Sequence, residues 1–124
     1  MDGMAYLRRE KELVEVDYSL AKVWAAIAKA VASLEWTVVE NDEATHQFKT
    51  KTKANFMAYA SVLTINIAAS PKENATKVWI SAETPVTTIT GIVDFGRTRE
   101  RIDSFLLALI KQLKNEVADS ESSQ

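Results

Sequence analysis

The sequence predicts an α+β domain of the order β-α-β-β-β-β-α, in which a curled antiparallel sheet of four to six strands carries two helices on one face. Two stretches repeat apolar residues at helical spacing, and several shorter stretches alternate apolar and polar residues. Residues that favour turns separate the alternating stretches. An antiparallel sheet with one apolar face needs helices to cover that face, so these observations together favour an α+β layout.

The composition is that of one ordinary globular domain. The chain has 124 residues, of which 47% are apolar and 26% charged, and this is enough to bury one core. We expect a single domain over 1–117 and a disordered acidic and serine-rich tail over 118–124. The net charge of −2 argues against nucleic acid as a partner, and the lack of cysteine excludes disulfides and thiolate chemistry.

No run in the sequence approaches the roughly 20 apolar residues of a membrane span. We therefore expect no membrane-spanning segment and a cytoplasmic protein. An envelope location is expected only if a leader sequence precedes Met1.

The first predicted element is a strand over Leu13–Tyr18. Val14 and Val16 alternate there with Glu15, which is typical of a half-buried strand. The preceding charged run, Arg8–Glu12, is interpreted as a solvated lead-in or the start of the strand in preference to a basic patch, because its signs are mixed.

A helix follows from Leu20 to Leu34, with its apolar residues on one stripe. Asp17 or Ser19 can cap it, because either side chain has an oxygen that accepts a backbone N–H. Trp24 lies on the apolar stripe, so it belongs to the core or forms the floor of a ligand pocket.

Two strands, Trp36–Glu40 and Ala44–Lys53, are predicted to form a hairpin around a turn at Asn41–Glu43. In the second strand, one face carries His46, Phe48, Thr50 and Thr52, and the other carries Gln47, Lys49, Lys51 and Lys53. The lysines can meet an anion, or they can keep an edge strand soluble.

The clearest alternation covers Ala58–Ala69 and predicts a central strand, with a turn at Ser70–Asn74 and a returning strand at Thr76–Glu83. One face of the central strand carries Tyr59, Ser61, Leu63, Ile65 and Ile67, and the opposite face carries Val62, Thr64 and Asn66. On the returning strand, Trp79 takes the opposite face from the inward residues. It is either a contact surface or a tryptophan that packs on its lysine neighbours.

The segment Thr84–Gly96 is irregular but apolar, so we expect a lid over a groove or one more short edge strand. A long amphipathic helix then covers Asp94–Val117, with Asp94 or Thr98 as its cap. Its apolar stripe consists of Ile102, Phe105, Leu106, Leu109, Ile110, Leu113 and Val117. This stripe should lie across the concave face of the sheet and leave a cleft beside it.

Several short stretches resemble the small helix-grip domains of the outer-membrane assembly lipoprotein BamC and its relatives. They are Val23–Ile27, Leu34–Val38, and Asn41-Asp42 leading into Gln47-Phe48-Lys49. The run Asp94–Ile102 is similar to a motif of an uncharacterised bacterial family, in which an Asp-x-Gly turn enters a helix with an Arg-Ile pair. The resemblance implies a helix-grip architecture, and larger helix-grip proteins hold apolar ligands between sheet and helix.

No catalytic or metal-binding pattern is present, so we expect no enzyme activity and neither metal nor cofactor. His46 is the only histidine, and no serine has the spacing of a nucleophile elbow. An enzyme would require Asp94, Arg97 and Arg101 to converge with His46 on one pocket.

The favoured interpretation is a non-enzymatic module that binds a small apolar ligand between the sheet and the C-terminal helix. The candidate lining residues are Trp24, Phe48, Phe56, Tyr59, Phe95 and Phe105. The alternative is a domain that binds a protein partner or a second copy of itself through the outer sheet face around Trp79.

Overall fold

A computed structural model of the protein describes residues 6–53, 60–86 and 97–122. Its elements follow the predicted order of one strand, one helix, four strands and one long helix. They are β1 (Tyr6–Val16), α1 (Leu20–Ser33), β2 (Thr37–Asp42), β3 (Gln47–Lys51), β4 (Val62–Ala69), β5 (Thr76–Val86) and α2 (Arg97–Ser122).

The five strands form one antiparallel sheet in the spatial order β1-β5-β4-β3-β2. Strands β2 to β5 are joined as consecutive hairpins, and β1 pairs with the last strand from Tyr6 opposite Val86 to Val16 opposite Thr76. Strand β4 therefore lies in the middle of the sheet, as its sequence predicted, and the antiparallel α+β fold is confirmed.

One face of the sheet, called the inner face here, packs against both helices. Its central row is Phe48, Ile65 and Ile80, which are paired across β3, β4 and β5 and are at most 1% exposed. A neighbouring row contains Ile67 and Val78. Residues at the alternate positions form the outer face, because successive side chains of a strand point to opposite faces of the sheet.

Helix α1 begins where the sequence predicts. The Ser19 side chain accepts a hydrogen bond from the backbone N–H of Lys22 at 3.3 Å and so acts as the cap. The buried side of the helix consists of Val23, Ala26, Ile27, Ala30 and Val31. Two alanines and three β-branched residues thus form the side of α1 that packs in the core.

Helix α2 packs on α1, β5 and β1. Ile102, Phe105, Leu109 and Leu113 are each at most 1% exposed and belong to the same core as the inner face. These four residues of the predicted apolar stripe are thus buried within the same chain.

Several element boundaries differ from the sequence prediction, and three of the differences are the most informative. Strand β1 begins at Tyr6, because the mixed-charge run 8–12 continues the pairing with β5. Asn41 and Asp42 belong to β2, and the turn begins after them, with His46 at φ 54°. Helix α2 continues to Ser122, five residues beyond its predicted end at Val117.

Other parts of the prediction stay open. Residues 87–96, where the lid or edge strand was expected, lie outside the described residues. The division into a domain and a tail stays a prediction. Within the described part of the chain, neither helix combines the length and the apolar character needed to cross a membrane.

Candidate functional site

Half of the predicted cleft residues lie in the packed core or against it. Phe48 is 1% exposed and Phe105 is fully buried, while Trp24 is partly buried and packs against the core. Phe56, Tyr59 and Phe95 lie outside the described residues. The ligand cleft formed by these six residues therefore stays a prediction.

Trp24 connects helix α1 to the hairpin of β2 and β3. Its ring meets the Phe48 ring edge-on with centroids 6.1 Å apart, and it meets the His46 ring in the same way at 5.4 Å. These T-shaped contacts are typical of aromatic packing. They give His46 a structural role at this end of the sheet.

The opposite end of the inner face is polar. Thr52 directly follows β3, Ser61 directly precedes β4 and Thr84 lies in β5, and α2 adds a fourth hydroxyl residue from above. We call these four residues, Thr52, Ser61, Thr84 and Thr98, the hydroxyl cluster; each is at most 5% exposed. Buried hydroxyls are costly unless they are hydrogen-bonded, so their partners decide whether the arrangement is stable.

The hydroxyl cluster is internally bonded. Thr84 Oγ1 contacts the Ser61 hydroxyl on one side and lies 2.9 Å from Thr98 Oγ1 on the other. Thr52 Oγ1 accepts a hydrogen bond from the Ser61 backbone N–H at 2.9 Å. The cluster therefore ties strands β3, β4 and β5 to the first turn of α2.

Arg101 lies beside this cluster on the next turn of α2. Its guanidinium donates to Ser61 Oγ at 2.5 Å, and the residue is only partly buried. A permanently charged donor thus sits at the boundary between solvent and a buried row of hydroxyls.

The neighbouring Arg99 has a different environment. Its guanidinium lies 2.7 Å from a Glu12 carboxylate oxygen and 3.2 Å from Asp103. The hydrogen bond to Glu12 is the main cause that raises the pKa of Arg99 above its ordinary value. Arg99 therefore links α2 to β1.

Arg101, one of the residues considered for a catalytic arrangement with His46, lies at the other end of the sheet from His46, and Asp94 lies outside the described residues. The His46 carbonyl accepts the backbone N–H of Ile67, whereas Ser61, the partner of Arg101, precedes the other end of β4. Six residues of extended chain separate Ser61 from Ile67, which corresponds to about 20 Å. Among the residues that the structure describes, no three His, Cys, Asp or Glu side chains are placed to hold a metal ion.

The outer face carries a second candidate surface. Trp79 is 41% exposed and Leu13, its partner in the β1–β5 register, is 52% exposed. Both line an open groove of about 710 Å³ that also includes Thr64, Asn66, Ser81 and the ion pair of Arg9 with Glu83. The predicted outward position of Trp79 is confirmed.

Sequence reasoning identified the outer surface but missed the hydroxyl cluster. Alternation already placed Thr52 on the same face as Phe48 and Ser61 on the same face as Leu63, where hydroxyls are less common than apolar side chains. Two hydroxyls that share a face with large apolar residues were the available clue. The contributions of Thr84 and Thr98 required the register and the helix position.

Comparisons with known proteins give a fold but no family. No family model matches the chain, and no curated protein matches it. Among solved structures, norcoclaurine synthase from Thalictrum flavum, in complex with dopamine and hydroxybenzaldehyde, superposes with a TM-score of 0.66 at 12% identity, covering 90% of this chain and 88% of that one.

Two further solved structures show the same architecture. Ara h 8.0201 matches with a TM-score of 0.63 at 12% identity over 92% of this chain and 99% of its own. The Zhui aromatase/cyclase from Streptomyces matches with a TM-score of 0.58 at 9% identity over 90% and 96%.

These neighbours correct the sequence-based expectation that the protein is not an enzyme. Norcoclaurine synthase and the aromatase/cyclase are enzymes with this architecture. The lack of a recognisable catalytic motif is therefore no ground for excluding enzyme activity in this fold.

The neighbours also bear on the resemblance drawn from the sequence. They show a helix-grip fold, as that resemblance implied, while the specific likeness to BamC and the Asp-x-Gly motif stay predictions. The chain has the helix-grip fold.

Proposed function

We propose that the protein binds a small, mostly apolar organic molecule between the inner sheet face and α2, at the end where the hydroxyl cluster lies. The single observation that supports this proposal is the cluster itself. Ser61, Thr84 and Thr98 are each 0% exposed and lie next to one another beside an inner face that is mostly apolar.

The hydroxyls tie the strand ends to α2, and they also give this end of the inner face a polar character that its middle lacks. The middle of the same face is filled by Phe48, Leu63 and Ile80, which need no hydrogen-bonding partners. Binding sites for small organic molecules typically combine an apolar wall with a few placed polar groups. The inner face shows the same combination, because aliphatic side chains fill its middle and hydroxyl side chains lie at one end.

The chain also brings predicted cleft residues close to the cluster in sequence. Tyr59 precedes Ser61 by two residues, and Phe95 precedes Thr98 by three. Phe56 lies in the same connection as Tyr59. The short distance along the chain between these aromatic residues and the hydroxyl cluster supports the proposal of an apolar ligand with a polar end.

The fold comparison points in the same direction. The norcoclaurine synthase structure contains dopamine and hydroxybenzaldehyde, which are small aromatic molecules with polar substituents. That observation belongs to the neighbour, and it makes a small aromatic compound the first kind of probe to test here.

The test is a fluorescence titration with N-phenyl-1-naphthylamine, a neutral apolar probe, combined with amide NMR spectra of the labelled protein. We expect saturable binding with one probe per chain. The largest shift changes should fall on the amides of Thr52, Ser61, Thr84 and Thr98. A lack of saturable binding would overturn the proposal, as would shift changes centred on Leu13 and Trp79.

Two variants sharpen this test. Ser61→Leu places a larger apolar side chain in the cluster and should weaken probe binding at least about tenfold, provided that circular dichroism shows a folded protein. Trp79→Ala changes the outer face and should leave the affinity within about twofold. Equal effects of the two substitutions would contradict the proposed position.

The outer groove supports a second candidate function, the association of two copies of this chain. Trp79 and Leu13 expose apolar surface side by side, and the rim of the groove carries both signs of charge in Arg9, Lys11 and Glu83. A symmetric dimer requires a patch that complements itself, and a mixed-charge rim around an apolar centre meets that requirement.

Sedimentation velocity over a range of concentrations tests this second candidate. We expect a dimer of the wild type that Trp79→Ala weakens, whereas Leu107→Ala, at a residue 73% exposed on α2, leaves it unchanged. A wild type that stays monomeric at every concentration would refute self-association through this groove.

A further inference from the structure

We infer that the open groove of about 710 Å³ on the outer face binds a planar aromatic molecule that carries one anionic group. The inference goes beyond the proposed function, because this groove and the hydroxyl cluster lie on opposite faces of the sheet. It comes from three features of the groove: a floor of polar side chains, an exposed indole and a lysine whose charge is not paired.

The floor of the groove consists of polar side chains that remain available to a ligand. Thr64 and Ser81 are cross-strand partners, and Asn66 is the partner of Trp79 in the next row. Thr64, Asn66 and Ser81 are all half-buried. Within residues 6–53, 60–86 and 97–122, none of these three side chains makes a hydrogen bond. Their hydroxyl and amide groups can therefore donate to an incoming acceptor.

Trp79 and Leu13 form an apolar wall at one end of this floor. They are paired across β5 and β1, and the Trp79 side chain is 41% exposed. An exposed indole offers a large apolar surface with a specific preference for other aromatic rings. A planar aromatic ring packed on Trp79 would remove both surfaces from water, so the wall favours an aromatic ligand.

The charged residues that line the groove leave one cation without a counter-ion. Arg9 lies 3.3 Å from Glu83, and Glu12 lies 2.7 Å from Arg99, so both lining carboxylates have a cationic partner. Lys11 is exposed and has no carboxylate partner in the part of the chain that the structure describes. The charge that remains in the groove is therefore positive, and an anionic group complements it.

Strand β3 adds positive charge on the other side of the floor. Lys49 is the cross-strand partner of Thr64, and Lys51 takes the next outward position of β3. Neither lysine forms an ion pair with any residue that the structure describes. Glu40 faces Lys49 from β2, on the side away from the groove, and accepts a hydrogen bond from the Gln47 amide at 2.7 Å. An anion on the floor therefore has lysines on both sides.

The spacing of these features suits a compact ligand. Lys11 lies opposite Ser81, which is two residues along β5 from Trp79. Two residues of a strand span about 7 Å. A fused two-ring compound can therefore lay its rings on Trp79 and direct an anionic group toward Lys11 and the Ser81 hydroxyl.

The test is an amide NMR titration of the labelled protein with 2-naphthoate and, separately, with 2-naphthamide, which has the same rings but no charge. We expect 2-naphthoate to cause saturable shift changes, largest on the amides of Leu13, Thr64, Trp79 and Ser81. Its dissociation constant should be at least about threefold lower than that of 2-naphthamide, which is the modest effect of an exposed charge pair. High salt should remove this difference, because it screens exposed charges.

Three variants locate the site, and all of them alter exposed residues, so circular dichroism should show a folded protein. Lys11→Gln removes the unpaired charge and should abolish the preference for the carboxylate. Trp79→Ala removes the aromatic wall and should weaken binding of both compounds at least about fivefold, as loss of an aromatic stacking partner does elsewhere. Lys114→Gln is the matched control on α2, and it should leave both dissociation constants within about twofold.

The outcomes separate this inference from the proposed functions. Shift changes centred on the hydroxyl cluster, equal affinities of the wild type for the two compounds, or a preference that survives in Lys11→Gln would each overturn it. A ligand and a second copy of the chain exclude each other in this groove, so 2-naphthoate should dissociate any dimer seen in sedimentation, and a dimer that persists at saturation overturns the inference. Failure of N-phenyl-1-naphthylamine to bind counts only against the ligand site on the inner face.

Discussion

The hydroxyl cluster predicts an energetic coupling that can be measured without knowledge of the ligand. Thr84 contacts both Ser61 and Thr98 through its hydroxyl, and it is 0% exposed. Thr84→Val keeps the shape of the side chain and removes both contacts. Because a buried hydrogen bond contributes about 0.5–1.5 kcal/mol, we expect a loss of about 1–3 kcal/mol in the free energy of unfolding.

Thr50→Val is the matched control. Thr50 is also 0% exposed and lies on the inner face, but its hydroxyl makes one described hydrogen bond, to the Thr37 carbonyl at 2.8 Å. The same substitution should therefore cost about 0.5–1.5 kcal/mol, roughly half of the effect at Thr84. Urea unfolding followed by circular dichroism measures both values.

A double-mutant cycle with Ser61→Ala isolates the contact itself. Ser61 and Thr84 share one hydrogen bond, so the double variant should lose about 0.5–1.5 kcal/mol less than the sum of the single variants. Effects that add within about 0.5 kcal/mol would show that the two residues do not interact. A Thr84→Val variant as stable as Thr50→Val would refute the two-contact reasoning.

Three further predictions concern the rest of the fold. Phe105→Ala should lower the free energy of unfolding by about 3–5 kcal/mol in urea denaturation, because Phe105 is fully buried. Leu107→Ala alters an exposed side chain and should lower it by less than about 0.5 kcal/mol. Asn74 has φ 53°, so Asn74→Ala should cost about 1 kcal/mol in a thermal melt, whereas Asn74→Gly should be nearly neutral. The hydrogen bond and charge of Asp17 raise the pKa of Lys72. The stability that this pair adds to the fold is therefore present below the ordinary pKa of lysine and is lost as the pH rises through the pKa of Lys72 in the folded protein. An NMR titration of Lys72 should show that the raised pKa returns to its ordinary value in Asp17→Asn.

Local patterns were sufficient for the order of helices and strands and for the residues that share a face of a strand. Leu63, Ile65 and Ile67 are buried on one side of β4, as their alternation predicted, and Asn74 adopts the left-handed conformation expected of its turn. Boundaries were less certain, because pairing can extend a strand through charged residues. Strand β1 shows this, since the run 8–12 pairs with β5 although its composition is polar.

The candidate site depended on contacts between distant parts of the chain. Thr84 and Ser61 are 23 residues apart, and Arg101 is 40 residues from Ser61. No local period relates these positions. The sequence placed Ser61 on the same face as Leu63 and Ile65 but offered no means of choosing its partners among the other hydroxyl residues.

The amino-acid sequence by itself determined the order of elements, the two amphipathic helices and the outward position of Trp79. Each of these follows from the spacing of apolar residues along the chain, which repeats every 3.6 residues in a helix and every two residues in a strand. Only the tertiary structure decided that Ser61, Thr84, Thr98 and Arg101 meet under one end of α2. Strand register and helix placement arise from the packing of the whole core, and a change in either would bring different side chains together.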